Sequence, residues 1–145
     1  MHLASLSYIA DAFAKHRKGS KEFWQMISLS TLSMLQSHQQ EGTQLNTPEQ
    51  LRPLVFLLKS LDFRHSNKLQ KRIAEYMKDG TIDLSQMEPS RETALISYLM
   101  LEFFQSDING HAVIPEISKV FLDQDVLAHL NLIQTTLTLH YYMSI

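Results

Sequence analysis

Lysine and arginine gather twice in this chain, each time where the hydrophobic pattern breaks. Lys15, His16, Arg17, Lys18 and Lys21 surround Gly19, and Arg64, His65, Lys68, Lys71 and Arg72 follow Leu61. Ammonium and guanidinium groups on exposed turns can neutralise phosphates and track a nucleic-acid backbone. Stacking of equivalent turns would align the two clusters along one edge. Lys15, Arg17, Lys18, Lys21, Arg64, Lys68, Lys71 and Arg72 are therefore the candidate RNA-binding set. The next equivalent turn carries Asp107 and no cation, so the ridge is expected to end after two turns. A competing reading is that exposed turns carry charge for solubility alone, and the net charge of −2 weighs against a free-standing RNA binder. Trp24 and Phe63 lie near the basic turns and could stack on bases. Core packing is the favoured reading of both.

Other chemistry finds little support. The chain has no Cys, which excludes disulfides, thiolate metal sites and a Cys nucleophile. The seven His lack metal-ligand spacing, so no metal is expected. Gly-rich phosphate loops, a nucleophile elbow and HExxH are all missing from the sequence. Glu88 and Glu92 lie one helical turn apart, but near a helix start this matches the helix dipole. The reading is a non-catalytic protein with no cofactor.

The elements that position these residues follow from composition and periodicity. Hydrophobic residues make up 44% of the 145 and charged residues 19%, a globular balance with room for one core. Only 4 Gly and 4 Pro are present, too few for the many tight turns of a sheet-rich fold. No apolar run approaches the ~18 residues of a membrane span, and no secretory signal is visible. Lys15, Arg17 and Lys18 could be mistaken for part of an organellar presequence. Asp11 and a strong apolar face mark this segment as folded instead, and a targeting segment is not expected within the chain. Residues 1–80 hold 11 Lys and Arg against 7 Asp and Glu, a net of +4, whereas residues 81–145 are at −6. That split is consistent with two surfaces of different task.

The spacing predicts an all-α fold of about seven helices in stacked helical hairpins, a short α-solenoid forming a single domain over 1–145. The hairpins are expected at about 3–40, 47–79 and 86–123, with a final helix over 125–143. Leu3, Leu6, Ala10 and Phe13 form the first stripe, and Gly19 ends that helix. The second helix carries apolar residues from Phe23 to Leu35 on more than one face, as if contacted from two sides. Gln39 to Asn46 reads as a loop. Thr47 to Gln50 is a capping box, with Pro48 in the first turn. Pro53 implies either a kink or a later start near Leu51. Gly80 stops the fourth helix. Ser85 to Glu88 reads as a second capping box before an almost wholly apolar fifth helix over Ala94 to Phe104. Val113, Ile117, Val120 and Phe121 mark a sixth helix, and Asp125 is expected to cap the seventh.

Ile9, Ala12 and Phe13 align with Leu54, Leu57 and Leu58 and with Leu95, Tyr98 and Leu99, at steps of 45 and 41 residues, as in degenerate helical repeats. The first hairpin, LASLSYIADAFAKHRKGSKEFWQMIS, resembles the heptatricopeptide- and octotricopeptide-type repeats of FAST-kinase-like and RAP-domain proteins. Ile9, Ala10, Ala12, Phe13, Ala14, Lys15 and Phe23 match their pattern, and Ile82 to Ser85 is similar to the entry into a repeat. Asp11 departs from it, and a RAP domain is missing. The resemblance covers residues 3–28 and implies organellar RNA binding, including service in a mitochondrial ribosome.

The last helix is rich in apolar residues with nothing after it to cover them. Leu127, Leu132, Leu139, Tyr141 and Tyr142 are the candidate protein-docking residues. The expected function is that of a structural, RNA-associated subunit of an organellar ribonucleoprotein, most plainly a mitochondrial ribosome. RNA, expected to be ribosomal RNA, meets the N-terminal basic turns, and protein subunits meet the C-terminal helices. The alternative is a scaffold or accessory subunit with no RNA contact. The expected location is mitochondrial, otherwise cytoplasmic.

Overall fold

The computed structural model describes residues 2–61, 67–104, 117, 120, 131, 134 and 135. It is all-helical: among the described residues there is no strand, only an isolated parallel bridge between Leu45 and Ile82. Five α-helices are seen, α1 (Leu3–Lys15), α2 (Lys21–Glu41), α3 (Pro48–Ser60), α4 (Asn67–Lys78) and α5 (Arg91–Phe104), with a 3-10 turn at Leu84–Gln86. The expected sixth helix lies outside the described residues apart from Ile117 and Val120, both helical and buried. The expected seventh is not continuous over 125–143. Asn131 is non-helical, and its side chain accepts the Gln134 N–H at 2.8 Å while the Gln134 side chain accepts the Asn131 N–H. Asn at that point favours starting a helix over continuing one, because its side chain satisfies an amide that would otherwise be unpaired.

Helix α1 packs on α3, and α3 on α5; α1 also meets α2, and α2 meets α4. The shared core is built from Leu6, Ala10, Ile27, Leu51, Leu54, Leu57, Ile73, Tyr76, Ile96 and Met100, among others. Each of the large ones contributes roughly 1.5–3 kcal/mol by leaving water. The Arg52–Glu92 pair at 3.6 Å bridges α3 and α5 on the surface, and Gln70 donates to the Phe103 carbonyl at 2.8 Å, tying α4 to α5.

Local chemistry sets the helix bounds. At α3 the Gln50 N–H reaches Thr47 Oγ1 at 3.3 Å and the Gln50 side chain accepts the Thr47 N–H, the reciprocal box expected there. The helix runs from Pro48 through Pro53, so a later start near Leu51 is excluded. Helix α2 continues through Gln39 and Gln40 to Glu41, past the expected loop start, and ends at Gly42. The box expected at Ser85 to Glu88 does not form. Asp83 instead caps the 3-10 turn by accepting the Ser85 N–H, and α5 starts at Arg91 behind Ser90, whose Oγ accepts the Thr93 N–H at 3.1 Å. Pro89 explains the shift, since the residue before a proline is forced away from helical backbone, and a helix through Glu88 would break there.

The two long connections run beside each other. The Leu45 N–H donates to Thr81 O at 2.7 Å, and the Asp83 N–H to Leu45 O at 3.0 Å. Side chains reinforce this ledge: Gln39 to Asp79 at 2.7 Å, Asn46 to Gln86 at 2.7 Å, and Gln44 to Gly80 O at 3.1 Å.

Burial departs from the expected repeat alignment. Ala12 and Phe13 are exposed where Leu57, Leu58, Tyr98 and Leu99 are buried. Helix α2 is buried along one face only, through Trp24, Ile27, Thr31 and Leu35, while Met26 is 54% and Leu29 58% exposed. Among the described helices the first hairpin is met chiefly through α1 on α3 and α2 on α4.

Candidate RNA-contact surface

The α1–α2 turn is closed by backbone hydrogen bonds and backed by aromatic rings. Helix α1 closes with two backbone bonds, Lys18 N–H to Phe13 O at 2.8 Å and Arg17 N–H to Ala14 O at 3.1 Å. Such a closure needs a left-handed residue just past the helix, and Arg17 supplies it at φ 51. Glycine is the usual occupant, because a Cβ in that conformation costs roughly 1–2 kcal/mol. Gly19 follows at φ 103, so close to the aromatic pair that a Cβ there would sit 2.8 Å from both Phe23 Cδ1 and Trp24 Nε1. Ser20 then caps α2, accepting the Phe23 N–H at 3.1 Å. Phe13 stacks on Phe23 at 4.1 Å, and Phe23 meets Trp24 edge-on at 5.0 Å. This backing holds the turn's shape.

Lys15, Arg17, Lys18 and Lys21 are all exposed on that turn. Lys15 pairs with Asp11 at 3.0 Å, and the other three have no acidic partner among the described residues. The cations near the end of α1 also complement its dipole, a purely structural use that accounts for part of the cluster. Trp24 is buried and unavailable for stacking. The aromatic that the turn does present is Phe13, 37% exposed and already stacked on one face. Sequence spacing alone assigns Phe13 to the core stripe. The run of Gly19 before adjacent aromatics is the signal that a backbone segment must lie flat on rings.

The second cluster is less available than its composition implies. Arg64 and Phe63 lie outside the described residues. Lys68 and Lys71 are exposed on α4. Arg72 is engaged: it donates to the Tyr76 hydroxyl at 3.0 Å and to Glu75 at 2.8 Å, with its guanidinium 5.1 Å above the Tyr76 ring. The hydrogen bond to Tyr76, with the charge of Glu75, holds its pKa above the ordinary arginine value. The docking residues Leu127, Leu132, Leu139, Tyr141 and Tyr142 lie outside the described residues.

At the other end of the first hairpin an open cavity is lined by His2, Met34, His38, Glu41, Glu49 and Gln50. Among the described residues, no three His, Asp or Glu are grouped so as to hold a metal ion, and no helix is long and apolar enough to cross a membrane. No protein family, curated protein or solved structure matches the chain.

Proposed function

We propose that this protein is a non-catalytic helical-repeat subunit of an organellar ribonucleoprotein, of the mitochondrial-ribosome kind, which holds RNA phosphates on its first inter-helix turn. The observation that carries the reading is the turn itself. Arg17, Lys18 and Lys21 stand free of acidic partners among the described residues, on a backbone braced by Phe13, Phe23 and Trp24. A preorganised cationic turn loses little order on meeting a phosphate. The packing of α1 on α3 and α3 on α5, with α2 against α4, supports a short α-solenoid of stacked hairpins. Lys68 and Lys71, exposed on α4, extend the basic surface in such a stack. The likeness of residues 3–28 to organellar RNA-binding repeats supports the RNA assignment and the mitochondrial location. The acidic remainder of the chain fits docking on protein subunits through its C-terminal segment.

The test is a titration of the full chain with single-stranded and duplex RNA at low and moderate salt, beside a Lys18→Glu/Lys21→Glu variant. Binding that weakens steeply with salt is expected. For single strands the slope should be smaller by about 1.4 in the variant, at roughly 0.7 for each phosphate no longer neutralised. Absence of binding at low salt would remove the RNA role and leave the competing reading, a protein scaffold without RNA contact.

A further inference from the structure

Tyr8 is 78% exposed, more than any other large apolar or aromatic side chain among the described residues, and it has no ring or hydrogen-bond partner among them. A core role does not account for it. Seven residues make almost two full helical turns, so Tyr8 and Lys15 stand on one outward face of α1, about 10 Å apart along the axis. The only acid of α1, Asp11, lies between them and is already paired with Lys15 at 3.0 Å. Ala4 and Ala12, both small and exposed, border the ring and leave its faces open. Helix α3 repeats the arrangement. Leu3, Leu6 and Ala10 of α1 and Leu51, Leu54 and Leu58 of α3 are buried at a constant step of 48 residues, and the same step carries Tyr8 to Phe56. Phe56 is half-buried, with Arg52 and Lys59 exposed one turn to either side. The Arg52 guanidinium, paired with Glu92, lies 5.8 Å from the Phe56 ring centroid. The two helices pack on each other, and Leu3 and Ala4 line one cavity with Gln50 and Pro53, so they start side by side and run in the same direction. Tyr8 and Phe56 therefore come level on neighbouring helices, whose axes lie roughly 8–10 Å apart.

We infer that Tyr8 and Phe56 are stacking platforms for unpaired bases of a single RNA strand whose phosphates lie on the cations of the α1–α2 turn. The two rings add a substrate class to the proposed RNA role on which this assignment rests: single strands over duplex. Cations alone do not tell the two apart, since both present phosphates. An exposed ring does, because a duplex keeps its base faces stacked inside, and only splayed bases can lie on aromatic side chains. Rings set among cations along a backbone path are the arrangement that holds single strands without reading their sequence. On α1 the order from the turn is Lys18 and Arg17, then Lys15, then Tyr8. A protein-docking face is a contiguous apolar patch. Tyr8 is bordered instead by Ala4, Asp11, Ala12 and Lys15, and Phe56 by Arg52 and Lys59.

Three polyanions titrated into the full chain at low salt test this: a single-stranded oligouridylate carrying one 2-aminopurine, an RNA duplex, and inorganic polyphosphate, which has charge but no bases. The unaltered chain is expected to prefer the single strand and to quench the 2-aminopurine fluorescence on binding. Tyr8→Ala should weaken single-strand binding about tenfold, the scale of one lost base stack, and reduce the quenching. Its salt slope, polyphosphate binding and circular dichroism should not change, because the side chain is exposed and uncharged. Tyr8→Phe should restore the single strand. Phe56→Leu, which keeps the half-buried position apolar, should weaken it as Tyr8→Ala does. Single-strand binding indifferent to either loss overturns the part of that ring, and a Tyr8→Ala chain that loses polyphosphate in step with RNA overturns stacking as the cause. Polyphosphate held with no preference for the single strand would leave the cationic turn standing and sink the stacking. Failure to bind any of the three would remove both.

Discussion

Helices α1 and α2 close with the same pair of backbone hydrogen bonds. After α1 they run from Lys18 to Phe13 and from Arg17 to Ala14; after α2 they run from Thr43 to His38 and from Gly42 to Gln39. Both closures need a left-handed residue, at φ 51 in the first and φ 70 in the second. The second uses glycine in open space, the choice that favours stability. The first uses Arg17 there and places a glycine two residues later, where Phe23 and Trp24 leave no room for a side chain. Stability alone does not explain an arginine in that conformation. Strain of this kind collects at functional sites, and under the proposed function it sets Arg17 on the turn with the other exposed cations.

The comparison can be broken most severely at the glycines. Gly19→Ala places a Cβ 2.8 Å from two ring atoms and in a disfavoured backbone region. It is expected to destabilise the fold by about 3 kcal/mol, combining overpacking with strain. Gly42→Ala meets nothing within 4 Å, so only the left-handed strain of about 1 kcal/mol remains. Denaturant unfolding followed by the fluorescence of the single Trp, Trp24, reads both. Equal losses at the two positions would mean that the rings do not clamp the first turn.

Arg17→Gly should act with the opposite sign. It relieves the left-handed strain and is expected to stabilise the protein by about 1 kcal/mol, less the greater entropy of glycine in the unfolded chain. The same change removes one free cation, so RNA affinity at low salt should fall several-fold and the salt slope by about 0.7. A stabler protein that binds RNA as before would leave Arg17 with no part in the proposed contact.

The contrast between the two regions also sets what the sequence could reveal. Capping at Thr47 to Gln50, the stop at Gly80 and the all-helical class are legible, because each rests on neighbours within a few residues; the stop expected at Gly19 is not borne out, since α1 ends at Lys15 and Arg17 takes the left-handed position. Contacts between distant segments are not. The ledge pairing Leu45 with Ile82 joins loops whose sequences show no strand pattern, and α5 starts later than its capping motif suggests because Pro89 overrides it. Periodicity identifies the apolar residues of α2 without indicating that only one face is buried, so Met26 and Leu29 read as core. At the candidate site the cations are visible by type. Their pairing is not, since the engagement of Arg72 by Tyr76 and Glu75 depends on rotamers that spacing leaves open.

The smallest expected effect separates the regions by acidity. The ledge after α2 relies on carboxylates. Partial burial pushes Asp79 up, but hydrogen bonds from Thr81 and Gln39 and the charge of Arg72 outweigh it and hold the pKa below the ordinary value. Asp83 is likewise raised by burial and lowered further by Ser85 and Gln86, with a depressed net result. A depressed carboxylate pKa means that the unfolded chain takes up protons first as pH falls. The contribution is therefore complete above the ordinary carboxylate range near ~4 and is lost as pH drops through the lower folded values. Asp79 is exposed and Asp83 half-buried at the surface, so solvent screening should keep the effect under ~1 kcal/mol. The α1–α2 turn is closed by backbone bonds and aromatic contacts, which do not titrate. Amide exchange, corrected for intrinsic rates, should show protection of the Leu45 and Asp83 N–H groups falling below pH ~4 while that of the Lys18 N–H holds. Asp79→Asn should flatten part of the ledge's response. Parallel loss at Lys18 and Leu45 would mean that acid loosens the whole bundle, and that the two helix ends do not differ in what secures them.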